Sequence, residues 1–227
     1  MTQPGGRPAA REVVCLHGLG RSPSDWDGVR AALERFGTVV TPSLPRSPDR
    51  ALEAVDDAVL PGGILIGHSI GGVLALRLAR ERPRPLAAVI LSDCFFPPAR
   101  NGRSTPATIR DYAAHRVAYV RSLRGRSGAP VEETSRSGGL SALAGLARLG
   151  LHRAAFDADA DAVTAPVLVV HARDDHHVPI DFASAAVARH PGWEIRTLDR
   201  GGHHAHVTEP GLWLDTVTPW LDSGMGT

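Results

Sequence analysis

Ser69 lies between two glycines at the junction of two apolar segments. The sequence Gly67-His68-Ser69-Ile70-Gly71 follows one apolar run and leads directly into a second. A serine on such a sharp strand-to-helix turn is exposed for attack, and the flanking glycines let strand and helix approach each other. Its hydroxyl is a weak nucleophile until a base takes its proton and an acid orients that base. The spacing therefore predicts a nucleophile that needs two partners; the alternative is a tight turn whose serine caps a helix.

Two adjacent aspartates and two adjacent histidines each follow a later apolar segment of the chain. The pairs are Asp174-Asp175 and His203-His204. The carboxyl ends of strands in a doubly wound sheet gather at one edge, so we expect these side chains near Ser69. A carboxylate and an imidazole are the groups that activate a serine. Spacing within this chain leaves open which member of each pair takes the role.

Short apolar runs alternate with helical patterns, which predicts a parallel sheet with helices on both faces. The predicted strands are 13–16, 38–41, 64–66, 86–91, 167–171 and 193–198. The predicted helices are 22–36, 51–60, 70–82 and about 211–221. The last strand alternates in polarity and suits a sheet edge. Residues 1–227 are long enough to fill one α/β core and are expected to form a single domain.

The alternation stops after Asp93, and residues 94–164 are predicted to form a small helical cap inserted between strands. One helical face carries Ile109, Tyr112, Val117 and Val120, and a Gly/Ser/Arg-rich stretch follows at 124–139. An apolar roof over the nucleophile would exclude water and favour an apolar acyl group. Phe95 and Tyr112 are therefore candidate substrate contacts. Ordinary packing is the alternative for both residues, and a separate small core is the alternative for the cap.

Three motifs in order resemble the α/β-hydrolase superfamily across nearly the whole chain outside the cap. They read VVCLHGLGRSPSDW, GHSIGG, and VLVVHARDDHHVP followed by GGHHAHVTEP. The resemblance implies a mostly parallel α/β-hydrolase sheet and a triad in the chain order Ser, Asp, His. The stretch before the first strand is short. We therefore expect a reduced N-terminal hairpin and a sheet of about six strands.

The same resemblance assigns roles to individual residues. It implies Ser69 as nucleophile, Asp175 as acid, His203 as base, and the backbone N–H groups of Leu19 and Ile70 as the oxyanion hole. The spacing to the Val-Pro pair selects the second aspartate, and the Gly-His junction selects the first histidine. Asp93 is a rival acid because some members of the superfamily carry the acid after that strand. His204 is the rival base.

Composition argues against several classes of partner. The 25 basic and 24 acidic residues give a net charge of +1, so nucleic acid and anionic membranes are not expected as partners. The polar start lacks the apolar region of a signal peptide, and no apolar run reaches the roughly 18 residues of a membrane span. Cys15 and Cys94 are expected to be buried free thiols in a reducing compartment. We therefore expect a cytoplasmic protein.

The histidines at 176, 177, 203, 204 and 206, with two nearby aspartates, raise the question of a metal site. Zinc requires three or four ligands in fixed geometry, and adjacent histidines tend to diverge. The sequence therefore predicts no metal and no cofactor, and it leaves the oligomeric state open.

The function that the sequence predicts is a serine hydrolase acting on a small-molecule carboxylic ester or thioester. Two alternatives remain. One is a non-hydrolytic use of the triad in a lyase, an acyl transfer or carbon–carbon bond cleavage. The other is a ligand-binding protein on the same scaffold, because a fold does not fix a function. An intact triad argues against the latter, since binding alone does not require it.

Overall fold

The computed structural model describes residues 11–18, 20–45, 48–56, 58–81, 85–97 and 153–224. In chain order its elements are β1 (Glu12–Leu16), a 3₁₀ turn (Pro23–Trp26), α1 (Asp27–Leu33), β2 (Thr38–Val40), α2 (Pro48–Asp56), β3 (Ile64–His68), α3 (Ile70–Glu81), β4 (Ala88–Ser92), α4 (Arg153–Asp161), β5 (Val167–Ala172), α5 (Ile180–Val187), β6 (Trp193–Leu198), a second 3₁₀ turn (Gly202–His204), α6 (Ala205–Thr208) and α7 (Pro210–Gly224). The strands and helices predicted outside the cap are all present, with ends shifted by a few residues.

The described strands form one six-stranded parallel sheet in the order β2-β1-β3-β4-β5-β6. Its central register pairs Cys15 with Ile66, Ile66 with Ile90, and Ile90 with Leu168. The predicted strand number and parallel direction are confirmed, and β6 lies at an edge of the sheet as its alternating sequence suggested. The first ten residues lie outside the described part of the chain.

Successive side chains of each strand point to opposite faces of the sheet, and each face carries its own core. On one face Val14 and Leu65 pack with apolar residues of α2, α3, α4 and α5. On the other face Val13 and Ile64 pack with residues of α1 and α7, among them the fully buried Trp213. Each central strand is buried on both sides, which explains its nearly continuous apolar sequence.

The carboxyl ends of four neighbouring strands carry the polar residues that the sequence singled out. Ser69 follows β3, Asp93 follows β4, Asp175 follows β5, and His203 follows β6. Because the four strands are parallel and adjacent, these residues meet at the same edge of the sheet.

Most of the predicted cap, residues 98–152, lies outside the described residues, as do Tyr112 and the 124–139 stretch. Within the predicted cap, the structure does describe α4, which packs against α3. Phe156 is buried, and Asp159 accepts hydrogen bonds from Arg77 and Arg80 at 2.7 and 2.9 Å. The cap boundaries and the single-domain organisation stay predictions. None of the helices within the described ranges is long and apolar enough to cross a membrane.

We predict that Gly71→Ala strongly destabilises the protein. A methyl group there would overlap the carbonyl oxygen of Leu16 and lie 2.8 Å from that of His17. Both atoms belong to the backbone and cannot move aside, so we expect a loss of about 1–3 kcal/mol in the free energy of unfolding. Gly211→Ala is the matched control, because nothing lies within 4 Å of the added methyl group. Urea denaturation measures both, and equal stabilities would contradict the close packing.

Candidate active site

Ser69 occupies a strained turn between β3 and α3. Its φ angle is 52°, in the left-handed region that a residue with a side chain rarely adopts. The turn is held by hydrogen bonds from the Ser69 N–H to the Ser92 carbonyl at 3.1 Å and from the Phe95 N–H to the Ser69 carbonyl at 3.3 Å. A methyl group at Gly67 would lie 2.5 Å from backbone atoms of Gly72, so strand and helix can meet this closely only with glycine here.

Ser69, His203 and Asp175 form a continuous chain of hydrogen-bond contacts. His203 Nε2 lies 3.0 Å from Ser69 Oγ, and His203 Nδ1 lies 2.8 Å from Asp175 Oδ2. An ionised carboxylate only accepts hydrogen bonds. Nδ1 therefore carries the ring proton and donates a hydrogen bond to Asp175. The bare Nε2 then faces the serine hydroxyl, the geometry that a general base requires.

The Asp175 carboxylate is buried but well supplied with donors. Its Oδ1 accepts the backbone N–H groups of His177 at 2.7 Å and Val178 at 2.9 Å. Burial by itself would raise the pKa of Asp175. The charge that His203 carries when it is protonated at acidic pH, together with its hydrogen bond, outweighs burial, however, and lowers the pKa of this carboxyl below its ordinary value. Asp175 is therefore ionised at neutral pH.

The environment of His203 favours its neutral form. Burial lowers the pKa of His203, and the charge of Asp175 opposes this effect only in part. The ring of His177 stacks on that of His203, with centroids 4.8 Å apart and planes 11° apart, and the His204 ring stands edge-on to it at 5.1 Å. A neutral imidazole with a bare Nε2 can take the proton of a serine hydroxyl.

The rival acids, Asp174 and Asp93, and the rival base, His204, make other contacts. Asp174 accepts the Gly202 N–H at 2.8 Å and stays near the Gly201 N–H at 3.4 Å, so it holds the loop that carries His203. Asp93 is fully buried, and its two side-chain oxygens accept the backbone N–H groups of Ala172 and Ala205. In the described part of the chain, the imidazole nitrogen that contacts Ser69 Oγ belongs to His203 rather than His204.

The predicted oxyanion loop is only partly described. Ile70 is the first residue of α3 and is buried, whereas Leu19 lies outside the described residues. The backbone beside Leu19 is held by His17, whose Nδ1 donates to the Gly18 carbonyl at 2.9 Å while Nε2 accepts the Leu44 N–H at 3.1 Å. The oxyanion roles of Leu19 and Ile70 stay predictions.

Phe95 lies beside the nucleophile turn. Its backbone N–H donates to the Ser69 carbonyl at 3.3 Å, and its ring is 8% exposed within the core on the α3 side. A residue this buried could either pack in the core or line a substrate pocket. A substrate contact by Phe95 or Tyr112 stays a prediction.

Sequence reasoning missed two residues around His203. His68 is buried, and its Nε2 donates to the His203 carbonyl at 2.7 Å, which ties the nucleophile turn to the histidine loop. A polar residue within an apolar strand, directly before Ser69, was the signal for this contact. In the sequence, His177 is considered beside His203 only as a metal ligand, and the stacking of the two rings joins two different loops.

Two clusters of buried side chains in the described part of the chain have the residue types of a cation site. They are Asp25, His68 and His206, and Asp93, His171 and Asp175; the potential ligand atoms of each cluster lie within 4.8 Å of one another. In the first, Arg21 already binds both oxygens of Asp25, at 2.7 and 2.8 Å. In the second, Asp175 already accepts three N–H groups. Carboxylates so engaged are poor cation ligands, and neither cluster supports a metal-dependent function.

The site combines a strained serine turn at the carboxyl edge of a parallel sheet with a histidine and an aspartate that follow later strands. This combination defines the class of protein to which the chain belongs. The sequence matches the α/β hydrolase family over residues 13–216, and the chain belongs to that family. It is an α/β-fold hydrolase.

Its curated relatives include two kinds of hydrolase. The chain is 29% identical over 233 residues to the pimeloyl-[acyl-carrier protein] methyl ester esterase of Aromatoleum aromaticum, covering 88% of this chain and 93% of the relative. It is 27% identical over 250 residues to the Klebsiella pneumoniae protein that carries the name carbamate hydrolase RutD, covering 96% and 92%. A solved carboxylesterase structure from Nitrososphaera gargenis shares the fold, with a TM-score of 0.69 at 15% identity over 97% of this chain and 93% of that one.

We predict that Asp175→Asn lowers kcat by about 10⁴-fold, because the asparagine amide presents the wrong tautomer of His203 to Ser69. Asp174→Asn is the matched control one residue away, and it should keep kcat within about threefold because it retains an acceptor oxygen for the Gly202 N–H. Steady-state kinetics on p-nitrophenyl butyrate measure both variants. The reverse ranking would contradict the assignment of the acid.

We predict a kcat/KM profile whose acid limb has its midpoint below 6.5, the ordinary pKa of histidine. His203 acts only when neutral, and burial lowers its pKa, so activity persists at mildly acidic pH and falls once His203 is protonated. In Asp175→Asn the midpoint should move lower still, because the carboxylate that stabilises the imidazolium is gone. A midpoint above 6.5 in the unmodified protein would contradict the buried environment.

Proposed function

We propose that the protein is a serine hydrolase that cleaves a carboxylic ester or thioester of a small molecule through an acyl-enzyme. The observation that carries the proposal is the hydrogen-bonded chain from Ser69 Oγ through His203 to Asp175, with distances of 3.0 and 2.8 Å. The esterase name of one relative supports the same chemistry. Ser69, His203 and Asp175 are the catalytic residues of this proposal.

In the first half of the reaction, Ser69 Oγ attacks the acyl carbon while its proton passes to His203 Nε2. The negative charge that develops on the acyl oxygen is stabilised by the backbone N–H groups proposed here, those of Leu19 and Ile70. One such donor contributes about 3 kcal/mol to transition-state stabilisation. When the bond to the leaving group breaks, His203 Nε2 returns the proton to the departing oxygen or sulfur, and the acyl group stays on Ser69.

Water completes the cycle by the same route. It attacks the acyl carbon and gives one proton to His203 Nε2, and that proton goes back to Ser69 Oγ as the carboxylic acid leaves. Asp175 remains ionised throughout and stabilises the imidazolium form of His203. Its lowered pKa fits this role, because it takes no proton at neutral pH.

The substrate class is inferred from two sources. The apolar face that the sequence predicts for the cap favours an apolar acyl group. Carbamate hydrolysis is the second candidate, since relatives that cover 96% of this chain carry that name. A lyase, an acyl transferase and a binding protein on the same scaffold remain the other classes.

A fluorophosphonate probe and a panel of substrates test the proposal. We expect one probe molecule per chain on Ser69, and none in Ser69→Ala. That variant removes one hydroxyl group and should lose at least about 10⁴-fold in kcat. The panel comprises p-nitrophenyl acetate, butyrate and octanoate, an octanoyl thioester and a phenyl carbamate. We expect kcat/KM to be higher for butyrate and octanoate than for acetate.

Three outcomes would redirect the proposal. Turnover retained by Ser69→Ala would mean that this serine is not the nucleophile. Labelling of Ser69 without hydrolysis of any panel member would favour a lyase or an acyl transfer. A carbamate cleaved faster than every ester would favour the chemistry that RutD is named for.

A further inference from the structure

Asp93 is a buried acid that the proposed reaction does not use. It follows the last residue of β4, its side chain is fully buried, and its φ angle of 41° places an aspartate in the left-handed region. Such a conformation persists only where the surrounding structure enforces it, and residues of this kind cluster at functional sites. Burying an acid is unfavourable unless its oxygens are hydrogen-bonded.

The two oxygens of Asp93 bind two different loops. Oδ1 accepts the backbone N–H of Ala172 at 2.9 Å, and Oδ2 accepts that of Ala205 at 3.3 Å. Ala172 ends β5, three residues before Asp175, and Ala205 comes two residues after His203. One side chain therefore joins the loop that carries the acid to the loop that carries the base.

The same turn also binds the nucleophile loop. The Ser92 carbonyl accepts the Ser69 N–H at 3.1 Å, and the Phe95 N–H donates to the Ser69 carbonyl at 3.3 Å. The segment from Ser92 to Phe95 is thus hydrogen-bonded to all three loops that meet at His203. A displacement of about 1 Å between catalytic groups can lower a rate by two orders of magnitude, so contacts that set such distances matter for kcat.

We propose that Asp93 is a positioning residue, which fixes the acid loop and the base loop relative to each other through its bonds to Ala172 and Ala205. The inference rests on the proposed function, because it concerns the triad of that reaction. Asp93, the rival candidate for the triad acid, thus acts on the backbone of the two loops rather than on His203 Nδ1.

The charges around Asp93 favour the neutral form of its side chain. Burial, and after it the negative charge of Asp175, raise the pKa of Asp93 well above its ordinary value, while the hydrogen bonds from Ala172 and Ala205 oppose this shift only in part. The carboxyl groups of Asp93 and Asp175 lie within 4.8 Å of each other, with His171 beside them. Two carboxyl groups this close in a buried site have their pKa values pushed apart, so one is ionised while the other keeps its proton.

Neutrality makes asparagine the informative replacement. The side chain introduced by Asp93→Asn would be a neutral group of the same shape, with one acceptor oxygen for the Ala172 N–H, but its NH₂ group cannot accept the Ala205 N–H. Alanine removes both acceptors. Positioning therefore predicts a graded loss, larger for alanine than for asparagine, without a change in the charge beside His203.

The experiment compares Asp93→Asn, Asp93→Ala and Asp175→Asn on p-nitrophenyl butyrate, with active sites counted by fluorophosphonate titration. Expressed per titrated site, kcat should fall about 10-fold in Asp93→Asn and about 100-fold in Asp93→Ala, with KM within about twofold. The second-order rate of Ser69 labelling should fall in parallel. The acid limb of kcat/KM should keep its midpoint in Asp93→Asn and move in Asp175→Asn.

The possible results separate the two proposals. Unchanged kcat per titrated site in Asp93→Asn and Asp93→Ala would overturn the positioning role, because a merely structural acid changes only the number of active sites. If Asp93→Ala does not fold, the kcat of Asp93→Asn decides alone. A loss in Asp93→Asn as large as in Asp175→Asn, with a shifted acid limb, would make Asp93 the triad acid. Failure of the probe to label Ser69 in the unmodified protein would instead reject the proposed function itself.

Discussion

The passage from β3 into α3 is the constraint on which the site depends. The chain changes from strand to helix at one residue, Ser69, and backbone atoms from β1 and α3 fill the space around the turn. Gly67 and Gly71 are required there because a methyl group at either position would meet backbone rather than a movable side chain. The strain at Ser69 is held by tight packing and by hydrogen bonds to the end of β4. The half-buried serine is thereby held at the carboxyl edge of the sheet, with its hydroxyl 3.0 Å from His203 Nε2.

The two partners proposed for Ser69 depend on a distribution of charge. Two buried carboxyl groups lie close together, and the donors around each of them differ. His203 and the backbone N–H of Val178 lower the pKa of Asp175, whereas burial and the charge of Asp175 raise the pKa of Asp93. The negative charge of Asp175 is therefore directed at His203 Nδ1, and burial favours the neutral form of the imidazole. This is the electrostatic arrangement that a base at neutral pH requires.

Hydrogen bonds across the loops link these two features. His68 joins the nucleophile turn to the His203 backbone, Asp174 holds the glycines before His203, and Asp93 bridges the end of β5 and the start of α6. Each contact runs between segments that are far apart in sequence but adjacent at the sheet edge. Five ionisable side chains around the Ser69 turn thus have separate roles, and only Asp175 and His203 are proposed to take part in the chemistry.

The sequence by itself determined the parallel six-stranded sheet, its two covered faces and the serine turn, because periodic burial and glycine placement are local properties of the chain. It also placed an acid and a histidine at the strand ends, since strand ends are visible as the ends of apolar runs. It could not choose between Asp174 and Asp175, or between His203 and His204, without the family resemblance. Neighbours in a loop have the same composition and nearly the same position, and they differ only in where their side chains point. That direction is decided by contacts between loops: Asp175 Oδ2 accepts from His203 Nδ1, whereas Asp174 accepts from the N–H groups of the two glycines before His203. The hydrogen bonds of Asp93 to the two loops could not be predicted from the sequence either, because its two partners lie 79 and 112 residues further along the chain.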